Sequence, residues 1–342
     1  MITQKLRTAI IGCGGIAQRH AQNLVQLADR FQLVAFADAD AERARAFAAE
    51  YGAGPAAVYT VPAALLDTEQ LDAVFICLPP FAHTDEVARA AARGVHVFIE
   101  KPIALDSAQA WQMVAAAEEA GITTQVGFMF RFGGAVVKLK QLMTSGEAGP
   151  AGLMSTRYFC NALHAPWWRQ RDKSGGQLVE QVIHMVDLMR YLMGEAATVY
   201  SVQRNLYHQA VPDYTVEDVS GTVISFASGG IGVIYASNNA IPGKWINDYK
   251  VVTAHVTAEF ADANHAVFHH TSAGDVRSQE VTSEEDVYKL EVLDFYAAVV
   301  KGRPAQIPLR EGARSLDLAL AARASADAGT VVQLPQGADL GL

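Results

Sequence analysis

Lys101, in the run Glu100-Lys101-Pro102, and His184, in a run that also carries Glu180, Asp187 and Tyr191, are the residues whose types best suit proton transfer. An ammonium group can donate to a hydroxyl or carbonyl oxygen, and it gives up its proton more readily in a dry site or beside another cation. An imidazole titrates near neutral pH and suits a proton acceptor. Glu180, His184, Asp187 and Tyr191 stand at i, i+4, i+7 and i+11. A continuous helix from Gln177 to Met193 would therefore gather them in one stripe, with Val179, Ile183 and Val186 on one flank and Leu178, Val182 and Met185 on the other. A mostly apolar helix with a narrow ionisable stripe usually turns that stripe to a cavity. Glu180 would orient the imidazole and stabilise its cation. The plainer alternatives are a surface lysine before a helix and a hydrogen-bonded core histidine.

The elements that would hold Lys101 are legible upstream. Thr8-Ala9-Ile10-Ile11 reads as a strand, Gly12-Cys13-Gly14-Gly15-Ile16-Ala17 as a tight turn, and Ile16 to Leu27 as a helix. Such a turn leaves backbone N–H groups free at a helix start, which favours a pyrophosphate. Gly12 permits the sharp turn, Gly14 lets phosphate approach, and Ala17 fills the third small position. Gln32 to Asp38 reads as the next strand, ending in an acid that can accept both ribose hydroxyls of an adenosine and would repel a 2′-phosphate. NAD is therefore expected, with NADP possible because Arg43 stands nearby. Asp38 could instead be only a turn residue. Further apolar strands at 73–78, 95–99 and 123–127 alternate with helices, the pattern of a parallel sheet covered on both faces. Lys101 then stands at the carboxyl end of the fifth strand, where ligands of such folds bind.

After Gly127 the pattern changes. A helix is expected at 132–144, then a strand-rich stretch to Val281 with Ser228-Gly229-Gly230 as a hairpin turn. This predicts a large antiparallel sheet, which one or both of the helices expected at 283–300 and 311–328 could cover. The expected division is a dinucleotide-binding domain at 1–126 and a substrate-binding and oligomerisation domain at 127–342. Trp167-Trp168-Arg169, with Asn161 and His164, precedes the histidine run and suits stacking and hydrogen bonding to a sugar ring. A loop simply packed against the first domain is the other reading.

The chain has 342 residues, 36 acids against 27 bases, and a formal net charge of −9. No basic cluster is present, so duplex nucleic acid is not an expected partner. Cys13, Cys77 and Cys160 are too scattered for a disulfide framework or a zinc site and fit a reducing compartment. A cytoplasmic location is expected, with no leader and no membrane span. Glu180, His184, Asp187 and His83 could supply nitrogen and oxygen ligands, but hydride chemistry with a lysine needs no metal, and none is expected.

These residues resemble the glucose–fructose oxidoreductase / inositol dehydrogenase / MocA-like family of NAD(P)-dependent oxidoreductases over nearly the whole chain. The carriers are Gly12-x-Gly14-Gly15-Ile16-Ala17 with His20, Pro79-Pro80-x-x-His83, Glu100-Lys101-Pro102, and Gly175-Gly176 followed by Glu180-x-x-x-His184-x-x-Asp187. The resemblance implies a Rossmann domain, a second α/β domain on a mostly antiparallel open sheet, and dimers or tetramers formed through that sheet. It implies that Gly12, Gly14, Gly15, Ile16, Asp38, Pro79, His83, Glu100 and Lys101 meet the cofactor. It also implies that Lys101 and His184 flank the reacting carbon, assisted by Glu180, with Arg131 near the substrate, to which the loop residues Asn161, His164 and Trp168 named above would add substrate-side contacts. Glu180 stands where many members carry Asp, and its longer side chain could bond substrate instead of His184. The expected activity is hydride transfer on a sugar, inositol or related polyol. The alternatives are an NAD-dependent glycosidase acting by transient oxidation and a non-catalytic nucleotide-binding sensor.

Overall fold

The computed structural model describes residues 5–163, 165–272 and 276–335, and the chain divides into two compact units. The first comprises Met1–Met129 and Asp286–Ala313, the second Phe130–Glu285 and Arg314–Leu342. Residues 286–313 thus return to the first unit, against the expectation that everything after 126 forms the second.

In the first unit, β1 (Leu6–Ile11), α1 (Gly15–Gln26), β2 (Phe31–Ala37), α2 (Ala41–Tyr51), β3 (Ala57–Tyr59), α3 (Pro62–Thr68), β4 (Ala73–Ile76), α4 (Glu86–Ala92), β5 (His96–Ile99), α5 (Ser107–Glu119) and β6 (Thr124–Val126) follow in order. The strands form a six-stranded sheet in the order β3-β2-β1-β4-β5-β6, all parallel. That is the Rossmann order, reversing beside β1, so the crevice for a dinucleotide lies at the carboxyl ends of β1 and β4. β4 is buried throughout, as a central parallel strand covered on both faces must be.

The second unit runs through α6 (Gly134–Thr144), β7 (Ala151–Phe159), the short α7 (Arg171–Ser174) and α8 (Gln177–Glu180), α9 (Ile183–Met193), and strands β8 (Ala196–Arg204), β9 (Val219–Phe226), β10 (Ile231–Ser237), β11 (Tyr249–Thr253), β12 (Val256–Phe260), β13 (Ala266–His270) and β14 (Arg277–Val281). Then come α10 (Val287–Lys301), α11 (Leu309–Ala328) and β15 (Val332–Gln333). Nine strands pair as β14-β13-β12-β11-β7-β10-β9-β8-β15, antiparallel except at β7–β10. β9 and β10 alternate buried and open residues, so one sheet face is core. That face is filled by Met185, Met189 and Leu192 of α9, Val136 and Leu139 of α6, and Leu318 and Ala322 of α11.

Of the two closing helices, one or both of which could cover this sheet, α11 does so. α10 packs in the first unit, where Phe295 meets Phe75 and Phe98 edge-on at 5.8 and 5.9 Å. The expected helix 177–193 is interrupted. Val182 N–H reaches back to Gln177 O at 3.0 Å and Met185 N–H to Val182 O at 2.8 Å, one wide turn followed by one tight turn. Gln181, between them, accepts from Gln177 Nε2 at 3.3 Å.

Candidate active site

In the first unit the glycine turn has the required shape. Gly12 has φ +86°, and a Cβ there would lie 2.5 Å from the Cys77 carbonyl oxygen. Added Cβ atoms at Gly14 and Gly15 would meet nothing within 4 Å. Gly14 caps α1 with no side chain over the first N–H groups, which is what a pyrophosphate needs. Ala17 is fully buried where α1 meets the sheet. Asp38 lies just past β2, its Oδ2 accepting from Cys13 N–H at 2.8 Å and its Oδ1 from Asp40 N–H at 2.9 Å. The carboxylate is thereby fixed beside the turn. Arg43 Nη1 lies 3.8 Å from Asp38 Oδ2. Open glycines, an uncapped helix start and a fixed carboxylate fit a dinucleotide. Cys13 takes no part as a nucleophile: burial, then the Asp38 charge, pushes its thiol up to about 12.

Lys101 follows β5, half-buried, with a cis bond to Pro102. Its own N–H donates to Glu100 Oε2 at 3.2 Å. Glu100 turns its carboxylate inward, where Oε1 meets His20 Nε2 at 2.7 Å, so the side chain holds the fold together instead of facing a cofactor. The His83 ring is also buried, with Nδ1 2.5 Å from Glu86 Oε1. Burial raises the Glu86 carboxyl, but its bond to His83, the nearby imidazole and the Thr84 N–H together leave it below the usual range. The His83 side chain thereby joins the turn after Pro79 to α4 through Nδ1, while its Nε2 is buried with no hydrogen-bond partner among the described residues.

In the second unit His184 opens α9, buried, with the Phe130 ring 5.2 Å away. The interruption at 181–182 lies between Glu180 and His184, so no single helical turn relates them. Glu180 Oε2 accepts from the Trp168 indole N–H at 2.7 Å. Trp168 itself is buried against Tyr214 and Val216. A buried indole cannot offer its face to a sugar, so its expected stacking role is replaced by holding Glu180. Asn161 donates to Ala240 O at 2.9 Å and so ties its loop to the strand end. His164 lies outside the described residues.

Arg131 also departs from its expected substrate-side role. Its Nε and Nη2 bond Asp187 Oδ2 and Oδ1 at 2.8 and 2.6 Å, and both side chains are buried. Ser315 Oγ adds a bond to Asp187 Oδ1 at 2.9 Å. A guanidinium held bidentately by a carboxylate fixes α9, and with it His184. Arg131→Met should lower stability by about 3–5 kcal/mol, because it leaves a buried carboxylate without its cation. Chemical denaturation measures this, and adding Asp187→Asn should recover part of the loss.

The sequence reading missed Glu217. It is buried, its Oε1 accepts from Leu178 N–H at 2.7 Å, and a Cβ at Gly176 (φ +103°) would strike its Oε2 at 2.4 Å. Glu217 and Gly176 thus shape the turn into α8. The signal available was an acid at the head of an otherwise alternating strand. Burial raises the Glu217 carboxyl to about 7, against the Leu178 N–H and the Arg171 and Arg323 charges, which lower it. A raised folded-state value favours the neutral acid, so its contribution is full below the unfolded carboxyl range and lost as pH rises through about 7. Glu217→Gln should flatten the fall in thermal midpoint between about pH 4.5 and 7, the ordinary and the raised carboxyl values. Melting curves across that window test it.

A family model described as "Oxidoreductase family, NAD-binding Rossmann fold" matches residues 6–128, and one described as "GFO/IDH/MocA C-terminal domain" matches residues 136–261. An inositol 2-dehydrogenase 4 from Saccharopolyspora erythraea is 30% identical over 243 residues, 68% of this chain and 70% of that protein. The chain belongs to the GFO/IDH/MocA oxidoreductase family. A scyllo-inositol 2-dehydrogenase (NAD(+)) from Bacillus subtilis (strain 168) is 29% identical over 342 residues, 96% of each chain. A levoglucosan dehydrogenase solved with NADH shares the fold, with a TM-score of 0.89 at 21% identity, covering 98% of this chain and 100% of that one. As a GFO/IDH/MocA oxidoreductase, the chain is an NAD-binding enzyme, in keeping with the glycine turn and Asp38. Among the described residues no helix is long and apolar enough to cross a membrane.

Proposed function

We propose that this enzyme oxidises a hydroxyl of a sugar, inositol or related polyol, or reduces the matching carbonyl, with Lys101 and His184 both acting on the reacting oxygen. The observation that carries the reading is the end-to-end similarity to a scyllo-inositol 2-dehydrogenase, at 96% coverage of each chain. Gly14, Gly15 and the first N–H groups of α1 would hold the pyrophosphate, and Asp38 the adenosine ribose. Bound NAD supplies a hydride acceptor at its nicotinamide ring. His184 takes the hydroxyl proton through its imidazole. The Lys101 ammonium donates to the oxygen as negative charge develops there. Arg131 and Asp187 hold α9 still, and Trp168 fixes Glu180 near the start of that segment.

Purified protein mixed with NAD or NADP and a panel of cyclic polyols and sugars should form reduced cofactor, read by its near-ultraviolet absorbance, with NAD preferred. Release of an aglycone from glycosides with no net reduced cofactor would favour glycoside cleavage by transient oxidation instead. For assembly, the outward face of the nine-stranded sheet carries Tyr200, Val223, Ile231 and Tyr235, all exposed. In register Tyr200 pairs with Val223 and Val223 with Val233, so the apolar residues form a band across β8, β9 and β10. Such a band suits a second copy of the chain, and light scattering should return a multiple of the single-chain mass.

A further inference from the structure

His20, Glu100 and Glu291 bring one nitrogen and two carboxylate oxygens within 4.8 Å of one another inside the first unit. All three are buried, and they come from three separate elements: α1, the residue after β5, and α10. We propose that this cluster is a positioning device for Lys101, which locks the lysine's backbone to the helix that follows the glycine turn. The inference rests on the role given to Lys101 above.

The geometry has a direction. α1 begins at the glycine turn, and His20 sits on its buried side. His20 Nε2 meets Glu100 Oε1 at 2.7 Å, and the other oxygen of the same carboxylate receives the N–H of Lys101 at 3.2 Å. One carboxylate therefore joins the nucleotide-side helix to the lysine's peptide. Gly127 leaves room for this carboxylate: a Cβ added there would lie 2.7 Å from Glu100 Oε1. The His20 ring packs against both Phe98, at 4.9 Å, and Phe75, at 5.6 Å.

Glu291 closes the cluster from α10. Its carboxyl oxygens, His20 Nδ1 and Gln125 Oε1 are buried with no protein hydrogen-bond partner among the described residues. A second carboxylate ion there would lack both solvent and a donor. Burial and the Glu100 charge hold the Glu291 carboxyl well above its usual range. Glu291 thus favours its neutral form, while the Glu100 carboxyl group is the one bonded to His20 and to the Lys101 N–H. Gln125 Nε2 donates to Glu291 O at 2.9 Å and fixes the α10 backbone in place.

The test uses the full-length enzyme. His20→Phe preserves the ring volume and removes the bond to Glu100. Its kcat should fall at least about tenfold, while the dissociation constant for NAD, read by fluorescence titration, changes less than about twofold; a single lost positioning bond is worth effects of this order. His20→Gln, which keeps a donor, should regain part of that kcat. If His20→Phe does not fold, Glu100→Gln, which keeps shape and removes charge, takes its place with the same expected kcat loss. A lower melting midpoint with kcat and KM unchanged in the folded variant would overturn the proposal. Lys101→Met separates the two readings: if it is inactive while His20→Phe is fully active, only the positioning role falls.

Discussion

His184→Asn should lower kcat by about 10²–10⁴-fold, the usual worth of a positioned proton acceptor. The substitution keeps a polar side chain of smaller size in a site that is buried beside Phe130. A melting curve on the same sample separates loss of packing from loss of chemistry. Substrate binding should weaken less than turnover, because the imidazole's largest contribution is to a proton in flight. Steady-state rates with the best polyol of the panel give both numbers. Equal losses in kcat and in folded fraction would instead assign His184 to the core.

Lys101→Met is expected to cost about 10²–10³-fold in kcat, the range found when one donor to a developing oxyanion is removed. Methionine matches the stem length and leaves the Lys101 N–H to Glu100 contact intact, since that contact is made by the backbone. NAD binding should survive, because Gly12, Gly14 and Asp38 lie on other elements of the first unit. A variant that still binds NAD and does not reduce it is the expected result. Full turnover would remove Lys101 from the mechanism.

The Rossmann half could be read from the sequence because each of its signals is local. A strand, a glycine turn and a helix follow one another within β1 to α1, and Asp38 ends the very next strand. The parallel strands announced themselves as short apolar runs between helices. What could not be read was long-range. Arg131 and Asp187 are 56 positions apart, and nothing near either residue says that they pair. Trp168 looks the same in sequence whether its indole faces a sugar or is buried with its N–H on Glu180. α10 carries apolar residues suited to either sheet, and only the fit of Phe295 against Phe75 and Phe98 decides its place. The break at Gln181-Val182 was hidden because apolar residues continue across it, so the hydrophobic period gives no warning. The i, i+4 spacing of Glu180 and His184 therefore suggests neighbours on one turn, which the break separates.

The claim on which the mechanism depends is that Lys101 and His184 serve one reacting oxygen. A double-mutant cycle on kcat measures this directly, using Lys101→Met, His184→Asn and the two together. Groups that act on the same proton and the same developing charge are strongly non-additive, so the double variant should fall within about tenfold of the worse single one. If the two losses simply multiply, the side chains act independently and the shared site is contradicted.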